Sequence, residues 1–493
     1  MVGRAAGVRP VPRIVPHRLR PALALLLGVA AWAPRPVAAQ APARRTGATG
    51  APVAVEPLTR DVLAQLVAVN TTVSTGSTTR AAQAMAARFR AAGWPAADIT
   101  LTGAGPKSQN LVVRWRGRTR GKPVVFNAHL DVVEAPRLDW GSDPFVLTER
   151  DGYLYGRGVL DDKGPAAAIV AAMLVARRDG VVPERDVLLT LTAGEESGVE
   201  NGVEWLLTQH SAVADAAYVL NLDSGGAELT NGGVRAFTVQ AAEKVYVDFD
   251  LVASGPGGHS SVPDGETPVD RLARAVTRLT GATFPVRLND VTRLFLERTG
   301  PLTAGPLGAA MTALARNPDD AGAQALLLRD PALAARLRTT CVTTMLRAGT
   351  APNAIPQEAV GTVNCRMLPG EGQEVVRRRL RELVADSAVE VRVVSPATES
   401  GPSVVTAHVQ ELVRAALGAR YAATPIIPYM ETGATDAIFF RNRGIDVFGV
   451  TGSFVPETDG MRMHGRDERI AVTALREMAQ YTDRLLRAVA KTP

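Results

Sequence analysis

The sequence predicts an α/β fold with a second, α+β domain inserted into it. From residue 56 onward, helical patterns alternate with short apolar strand-like runs, as expected for a mostly parallel sheet covered by helices. Near residue 244 the pattern changes to alternating apolar and polar residues, which is typical of a half-exposed strand. The α/β pattern resumes at about residue 400. We therefore expect a first domain at 56–243 and 396–493, interrupted by an inserted domain at 244–395.

Each predicted element follows from its local pattern. In the first domain we expect helices at 56–70, 78–93 and 164–178, and strands at 110–116, 123–128, 186–192 and 217–222. In the inserted domain we expect strands at 245–253, 340–347, 359–366 and 388–394, and helices at 267–280 and 372–385, hence one sheet with helices on one face. Residues 288–338 form an additional, mainly helical insertion. A helix at 404–419, a strand at 445–450 and a final helix at 468–489 complete the chain.

The first 39 residues are typical of a secretory signal peptide. Five arginines precede an apolar run at 21–33, and small residues end at Ala39. That run is shorter than the roughly 20 residues of a transmembrane helix, which disfavours a stable membrane anchor. We expect an exported protein, periplasmic or secreted. Residues 40–55 are rich in Ala, Pro and Gly and are predicted to be a flexible lead-in.

The charge balance argues against a nucleic-acid partner. The chain has 55 basic and 49 acidic side chains, but the first 39 residues hold six arginines and no acidic residue. The remaining chain therefore has 49 of each, without the basic excess of a nucleic-acid-binding protein.

The only two cysteines, Cys341 and Cys365, are too few for a thiolate zinc site, so a metal would be bound by histidine and carboxylate. If 340–347 and 359–366 pair as antiparallel strands, these cysteines come within disulfide range. Because an exported protein meets an oxidising compartment, we hypothesise that they form a disulfide.

Acidic and histidine-containing motifs follow the predicted strands of the first domain. The motifs contain His129 and Asp131, Asp161, the pair Glu195 and Glu196, and Asp223. Ligands of open α/β sheets bind outside the carboxyl ends of the strands. Each motif alone has an ordinary alternative: a structural His–Asp pair, a helix cap at Asp161 or Asp162, or a solvated acidic turn.

The combination favours a metal site. Adjacent carboxylates such as Glu195 and Glu196 repel each other unless a cation or a proton compensates them. On an extended segment His129 and Asp131 point the same way, so Asp131 can orient the imidazole. His129, His259 and His464 are the three histidines that lie in glycine-rich or acidic loops.

The ordered motifs AHLD, GRGVLDDKG, TAGEESG, NLDSGG, GGHSSVP, APNAIP, NCRMLPG and MHGRDERI resemble a known enzyme family from about residue 60 to the C-terminus. The family is that of the di-zinc exopeptidases. It includes bacterial glutamate carboxypeptidase, succinyl-diaminopimelate desuccinylase, acetylornithine deacetylase, aminoacylase and vacuolar carboxypeptidase S. The sequence around residues 126–164 is most similar to the carboxypeptidase S branch. The resemblance implies an α/β/α sandwich catalytic domain with an inserted lid (dimerisation-type) domain.

The resemblance also implies residue roles. Asp161 would bridge two zinc ions, His129 and Asp223 would complete one site, and Glu196 and His464 the other, with cobalt or manganese as substitutes. Glu195 would be the general base, Asp131 would orient His129, and His259 would stabilise the tetrahedral intermediate. Asn353 and Arg366 would hold the substrate, which is a small peptide or an N-acyl amino acid. The loop Gly433–Asp436 receives no specific role.

Two departures from the family pattern bear on these expectations. Asn364 stands where many relatives carry an acidic residue, and the 288–338 insertion is absent from smaller relatives, whose lids dimerise and lend a histidine to the partner's site. A larger lid could instead mimic the partner within one chain, so a homodimer through the lid stays one of two alternatives. We expect a carboxypeptidase or dipeptidase. The alternatives are an N-acyl amino acid deacylase on the same site and, more distantly, a non-catalytic binding protein.

Overall fold

The computed structural model describes residues 54–230 and 233–493. The predicted signal peptide and all but the last two residues of the predicted lead-in lie outside that part of the chain. The helices are α1 Val55–Val67, α2 Thr78–Ala91, α3 Lys163–Arg178, α4 Gly202–Gln209, α5 Ser211–Ala214, α6 Pro268–Leu279, α7 Asp290–Thr299, α8 Gly305–Arg316, α9 Ala321–Leu327, α10 Pro331–Leu337, α11 Gln373–Val384, α12 Ala407–Leu417, α13 Ala437–Asn442, α14 Glu457–Gly460 and α15 Val472–Ala490. The strands are β1 Ile99–Gly103, β2 Gln109–Trp115, β3 Val124–His129, β4 Thr148–Arg150, β5 Tyr153–Tyr155, β6 Val187–Thr192, β7 Tyr218–Asn221, β8 Gly226–Thr230, β9 Gly233–Glu243, β10 Val245–Ser254, β11 Gly258–His259, β12 Thr340–Ala348, β13 Ala354–Ile355, β14 Glu358–Met367, β15 Val389–Val393, β16 Ile426–Glu431, β17 Val447–Gly449 and β18 Arg469–Ala471.

A nine-stranded mixed sheet forms the centre of the larger domain. Its order is β1-β2-β6-β3-β7-β17-β9-β16, and β8 pairs with β9. β3 runs parallel to β6 and β7, and β17 runs parallel to β7, but β9 is antiparallel to β17. The expectation of a mostly parallel sheet is therefore wrong. The chain leaves β7 through the antiparallel β8–β9 pair rather than through a crossover helix, which reverses the direction of β9.

Helices cover both faces of this sheet, which confirms the α/β/α arrangement. On one face, α1, α3 and α15 pack in one apolar cluster with alternate residues of β3 such as Val124 and Phe126. On the other face, α4, α5 and α13 pack in a second cluster that includes Val125. The strand is buried on both sides, as central parallel strands are, and it ends at His129.

The inserted domain, called the lid below, contains an antiparallel sheet of order β12-β14-β10-β15. Helices α6 and α11 pack on one face around residues such as Phe249, Leu272 and Leu380, so the expected one-sided arrangement is confirmed. The opposite face is not covered by these helices and carries Tyr246 and Arg366 as a directly opposed pair. Cys341 lies directly opposite Cys365, and the two are joined by the hypothesised disulfide.

The insertion at 288–338 forms helices α7 to α10, as predicted, but it does not pack on the lid sheet. Its apolar side chains, such as Phe295 and Leu314, share a cluster with Ile427 of β16 and Ala236 of β9. The insertion therefore covers the end of the larger sheet at β16. At the junction between the domains, the buried Lys244 ammonium donates to the carbonyls of Ala335 and Arg338 at 2.8 and 2.9 Å.

Two further differences concern strands with weak local patterns. Strands β9 and β16 were not expected, although they form one end of the larger sheet. The final helix begins at Val472 rather than at 468, because Arg469–Ala471 pairs with β5 as strand β18. Within the described ranges, no helix combines the length and apolar character required to cross a bilayer.

Candidate metal site

Loops from distant parts of the chain meet at one edge of the larger sheet. His129 ends β3, Glu195 and Glu196 follow β6, and Asp223 follows β7. Because these three strands are adjacent and parallel, their carboxyl ends lie side by side. Asp161 precedes α3 and His464 precedes β18.

The five predicted metal ligands lie together around Asp161. His129 Nε2 is 2.9 Å from Asp161 Oδ1 and 3.7 Å from Asp223 Oδ1. His464 Nε2 is 3.0 Å from Asp161 Oδ2 and 3.0 Å from Glu196 Oε2. Asp161 thus offers one oxygen to each histidine, which is the arrangement of a carboxylate that bridges two cation positions.

The neighbouring Asp162 also belongs to the cluster, although sequence reasoning gave it no metal role. It occupies the N-cap position of α3 but makes no side-chain cap, so the helix-cap alternative is wrong for this residue. Its Oδ2 accepts the backbone N–H of His129 at 3.1 Å, while Oδ1 has no partner among the described residues. Its carboxylate also lies within metal-binding reach of His129 and Asp223. An unpartnered buried oxygen beside these groups fits a site that receives a cation.

Asp131 contacts His129 mainly through its backbone. His129 Nδ1 is 3.0 Å from the Asp131 carbonyl oxygen and 3.8 Å from its carboxylate. An Nδ1–H donated to that carbonyl leaves the Nε2 lone pair directed at Asp161, as in a metal-binding histidine. The Asp131 carboxylate instead accepts the backbone N–H groups of Glu195 and Glu196 at 3.2 and 3.0 Å. Asp131 therefore links the histidine to the loop that carries the predicted base.

The loop after β6 is fixed at both ends. Gly194 has a φ of +75°, and a Cβ there would lie 2.4 Å from the Val199 carbonyl oxygen, so only glycine fits. The buried Asp436 accepts Thr192 Oγ1 and Asn201 Nδ2, each at 2.8 Å, on either side of Glu195. Asp436 belongs to the loop that received no role from the sequence, and it holds the loop of the predicted base in place.

A buried ion pair joins the loops of Asp161 and His464. Arg157 Nη1 lies 2.7 Å from Glu468 Oε2, and the Glu468 carboxylate also accepts the backbone N–H groups of Gly158 and Leu160 at 3.0 and 2.7 Å. His464 itself has a φ of +61°, an uncommon conformation for a residue with a side chain. The pair, whose members are 311 positions apart in sequence, brings His464 to Asp161.

The buried carboxylates of the cluster require positive charge beside them to stay ionised. Burial raises the pKa of Glu195 well above its usual range; the carboxylates of Asp223 and Asp436 add to this and His129 opposes it. Burial also raises the pKa of Asp223 to about 7. Burial acts on Asp161 in the same direction, but hydrogen bonds with His129 and His464 lower its pKa overall. Buried carboxylates are stable as anions only when cations or hydrogen bonds compensate them.

The donor set fits a borderline divalent metal. Two imidazole nitrogens and several carboxylate oxygens suit zinc and tolerate cobalt or manganese. The described donors form two groups, one with His129, Asp162 and Asp223 and one with His129, Asp161 and Glu196. The residues present therefore match a dinuclear centre that uses no cysteine.

The structure does not bring the predicted lid residues together in one chain. His259 on β11 is exposed, lies opposite Ala354, and its neighbour Ser260 donates to the Asn353 carbonyl at 3.1 Å. Arg366 lies opposite Tyr246, near the start of β10. Ser254, eight residues further along, ends β10 on the side of the sheet that leads to β11. Eight residues of strand span about 27 Å. His259 and Asn353 thus lie at the opposite end of the lid sheet from Arg366.

Arg366 lies at the lid end that adjoins the metal cluster. The residue after it, Met367, pairs with Val245 at the start of the lid. Lys244, the residue just before β10, donates its backbone N–H to the Glu431 carbonyl at 3.0 Å. Glu431 Oε2 is 3.5 Å from the hydroxyl of Ser224, the residue that follows Asp223.

Comparison with known proteins agrees with this description. Residues 125–488 match the model of peptidase family M20/M25/M40. The human N-fatty-acyl-amino acid synthase/hydrolase PM20D1 is 29% identical over 375 residues, covering 74% of each chain. The probable carboxypeptidase S-like 2 of Dictyostelium discoideum is 27% identical over 390 residues, covering 78% of this chain and 75% of the relative.

Solved structures share the fold. The M20 family metallo-carboxypeptidase Sso-CP2 of Sulfolobus solfataricus superposes with a TM-score of 0.66 at 18% identity, over 88% of this chain and 99% of its own. The di-peptidase Dug1p of Saccharomyces cerevisiae gives a TM-score of 0.63 at 15% identity, over 89% and 97% of the two chains. At these identities the likeness concerns the fold alone.

Proposed function

Because the chain belongs to peptidase family M20/M25/M40, we propose that it is a di-zinc hydrolase that cleaves an amide bond in a small peptide or an N-acyl amino acid. The observation that carries the proposal is the shared carboxylate of Asp161, which contacts His129 through one oxygen and His464 through the other. His129 and Asp223 would hold one ion, and Glu196 and His464 the other. The catalytic residues would be Glu195, Asp131 and His259, and the substrate residues Asn353 and Arg366.

The mechanism needs one group that moves a proton. When bound, two zinc ions supply Lewis acidity that polarises the scissile carbonyl and acidifies a water molecule. Glu195 is the candidate base, because its carboxylate lies on the loop next to Glu196 and burial raises its pKa, which favours its acceptance of a proton. It would take the proton of the attacking water and deliver it to the leaving nitrogen. His259 would donate a hydrogen bond to the developing oxyanion.

Arg366 supports a preference for substrates with a free carboxylate. A guanidinium binds a carboxylate through two parallel, charge-assisted hydrogen bonds. Its position at the lid end that adjoins the metal cluster suits it to hold the carboxylate of a C-terminal residue while the preceding amide lies at the metals. This supports a carboxypeptidase or dipeptidase.

We expect the wild-type enzyme to hydrolyse a dipeptide faster than its C-terminal amide, and Arg366→Ala to remove most of that preference. Loss of one member of a buried charged pair costs about 2–5 kcal/mol, which is roughly thirty- to several-thousand-fold in kcat/KM. The measurement is kcat/KM for acid and amide with both proteins, alongside metal content, which should not change. Equal rates for acid and amide on the wild type would exclude the carboxypeptidase proposal.

Hydrolysis of N-acyl amino acids is a second candidate. Relatives named N-fatty-acyl-amino acid synthase/hydrolase favour it, and an N-acyl amino acid presents the same amide and the same free carboxylate as a dipeptide. The two candidates share the metal site and Arg366 and differ in the group on the acyl side. A panel of dipeptides and N-acyl amino acids with one common C-terminal residue separates them.

The separation of His259 from Arg366 supports a homodimer in which each chain completes the partner's site. The lid offers an edge for pairing, because β12 is a nine-residue edge strand on which Val342, Met345 and Leu346 are each at least 60% exposed. A long apolar edge strand is a template for association with another strand. The 288–338 insertion packs on the larger domain and does not supply a mimic of the partner's lid.

We expect mixed dimers of Glu195→Gln and His259→Ala chains to regain activity that neither variant has alone. In such a dimer one site combines an intact Glu195 with the His259 of the other chain. The measurement is the hydrolysis rate after co-expression. The control combines Glu195→Gln with the Glu195→Gln/His259→Ala double variant, which can form no complete site. A mixed dimer no more active than its parents would show that His259 does not act across the interface.

We also propose that the protein is exported. The N-terminal arginines and apolar run support this, and the Cys341–Cys365 disulfide fits an oxidising compartment. Export predicts a mature N-terminus at Gln40, which the mass of the protein secreted or released from the periplasm would give. A mature chain that retains residues 1–39 would contradict it.

A further inference from the structure

Arg366 is a half-buried cation without a carboxylate partner. Among the residues that the structure describes, none offers a carboxylate within 4.0 Å of its guanidinium, whereas most arginines around the metal cluster and the junction, such as Arg157 and Arg441, are paired. Its close contact is the ring of Tyr246, whose centroid lies 4.6 Å from the Arg366 Cζ. Burial lowers the pKa of Arg366, as expected for a cation that has lost part of its water.

Asp248, an acidic side chain whose charge acts on this arginine, does not form an ion pair with it. Asp248 lies on the same face of the sheet as Tyr246, two residues further along β10. Its Oδ2 accepts the hydroxyl of Tyr246 at 2.7 Å, and its Oδ1 accepts Nδ2 of Asn364 at 2.8 Å. Both carboxylate oxygens are therefore engaged, and the tyrosine ring lies against the guanidinium. Asn364 lies two residues before Arg366 on β14, and it donates to Asp248 rather than offering the arginine a carboxylate.

We propose that Tyr246, held by Asp248, is a positioning residue that keeps the Arg366 guanidinium available for the substrate's carboxylate and so sets the selectivity for free acids. This rests on the proposed role of Arg366. The ring face attracts the cation without neutralising it, and it leaves the N–H edge of the planar guanidinium to bind an anion. A carboxylate in place of the ring would form an ion pair, and the substrate would then have to displace that pair.

A positioning role for Tyr246 and a purely structural role predict different effects of its removal. The side chain is 46% exposed and makes its hydrogen bond to Asp248 at the surface of the lid sheet, so its removal leaves the apolar core of the lid intact. If Tyr246 acts through Arg366, its removal raises KM for acid substrates, leaves kcat nearly unchanged, and has no effect on amides. If it only supports the fold, acids and amides are affected alike.

The experiment compares the acid-to-amide ratio of kcat/KM in Tyr246→Leu, Tyr246→Phe, Asp248→Asn and Arg366→Ala, each also measured for thermal stability. We expect Tyr246→Leu to lower the ratio about five- to thirtyfold, between the values of an exposed and a desolvated cation–π contact. Tyr246→Phe keeps the ring, so it should retain most of the ratio, and Asp248→Asn should lower it less than Tyr246→Leu. In the Arg366→Ala background, Tyr246→Leu should cause no further change.

The matched control is Tyr421→Leu, since Tyr421 also lies under an arginine, Arg420, with Cζ 5.0 Å from the ring centroid, but belongs to the larger domain, where it stacks on Phe454. Its acid-to-amide ratio should equal that of the wild type. A Tyr246→Leu enzyme with an unchanged ratio, while Arg366→Ala has lost it, would overturn the role of Tyr246 alone. A wild type that does not distinguish acid from amide would overturn both the proposal for Tyr246 and that for Arg366.

Discussion

Replacing Glu195 by glutamine is expected to lower kcat by at least about a hundredfold, in the range of about 10²–10⁴ for loss of a general base. Glutamine keeps the size of the side chain and cannot accept the proton of the attacking water. The backbone N–H of residue 195, which is donated to Asp131, is the same in both proteins. The loop should therefore keep its position, and so should Glu196, the predicted metal ligand.

The measurement is kcat on a good dipeptide, together with metal content per chain. Glu200→Gln is a matched control, because Glu200 is an exposed carboxylate at the end of the same loop that bonds to Ser108. It should keep wild-type activity. If Glu195→Gln retained activity within a few-fold, Glu195 would not be the base.

The Asp161→Asn variant is expected to lose most of its metal and nearly all of its activity. Asp161 is the only residue whose two oxygens contact both histidines of the described cluster. An amide presents one weakly donating oxygen and no charge, so it cannot bridge two cations. Metal ions supply several kcal/mol of transition-state stabilisation, so we expect a loss of at least about a thousandfold.

Metal content by elemental analysis and kcat on the same samples test this result. Asp61→Asn, on the exposed side of α1, is the control and should retain both metal and activity. An Asp161→Asn protein that kept two ions per chain would show that Asp161 does not bridge them.

The sequence could place most of the predicted metal ligands at one edge of the sheet, because they follow a strand or precede a helix whose own pattern is strong, whereas His464 precedes strand β18. His129, Glu196 and Asp223 follow the buried strands β3, β6 and β7, which are almost entirely apolar and easily recognised. Parallel strands place their ends together, so the position in sequence was enough to predict a common site.

Contacts between distant loops could not be predicted in this way. Glu468 and Arg157 are 311 positions apart, and nothing in either local sequence indicates that they pair. Asp436 belongs to a loop with an ordinary composition, and only the fold shows that it holds both sides of the Glu195 loop. The antiparallel part of the sheet could not be predicted either, because the direction of β9 depends on the β8–β9 pairing rather than on the pattern within the strand.

The placement of the lid residues could not be predicted from the sequence either. Motifs containing His259, Asn353 and Arg366 occur in one domain, and the resemblance left open whether they act within one chain or across a dimer. The register of β10 with β14 places Arg366 near the junction and His259 at the opposite end of the sheet. This separation depends on the length and pairing of a strand, and it supports the proposal that two chains complete each site.

We infer that this chain is a dinuclear metallohydrolase in which Glu195 moves the proton. The most direct test measures metal ions per chain and kcat together for the wild type, Glu195→Gln and Asp161→Asn. We expect two ions and full activity for the wild type, two ions and at least about a hundredfold lower kcat for Glu195→Gln, and little metal and almost no activity for Asp161→Asn. A wild type that hydrolyses its substrate at full rate with no bound metal after chelation would contradict it.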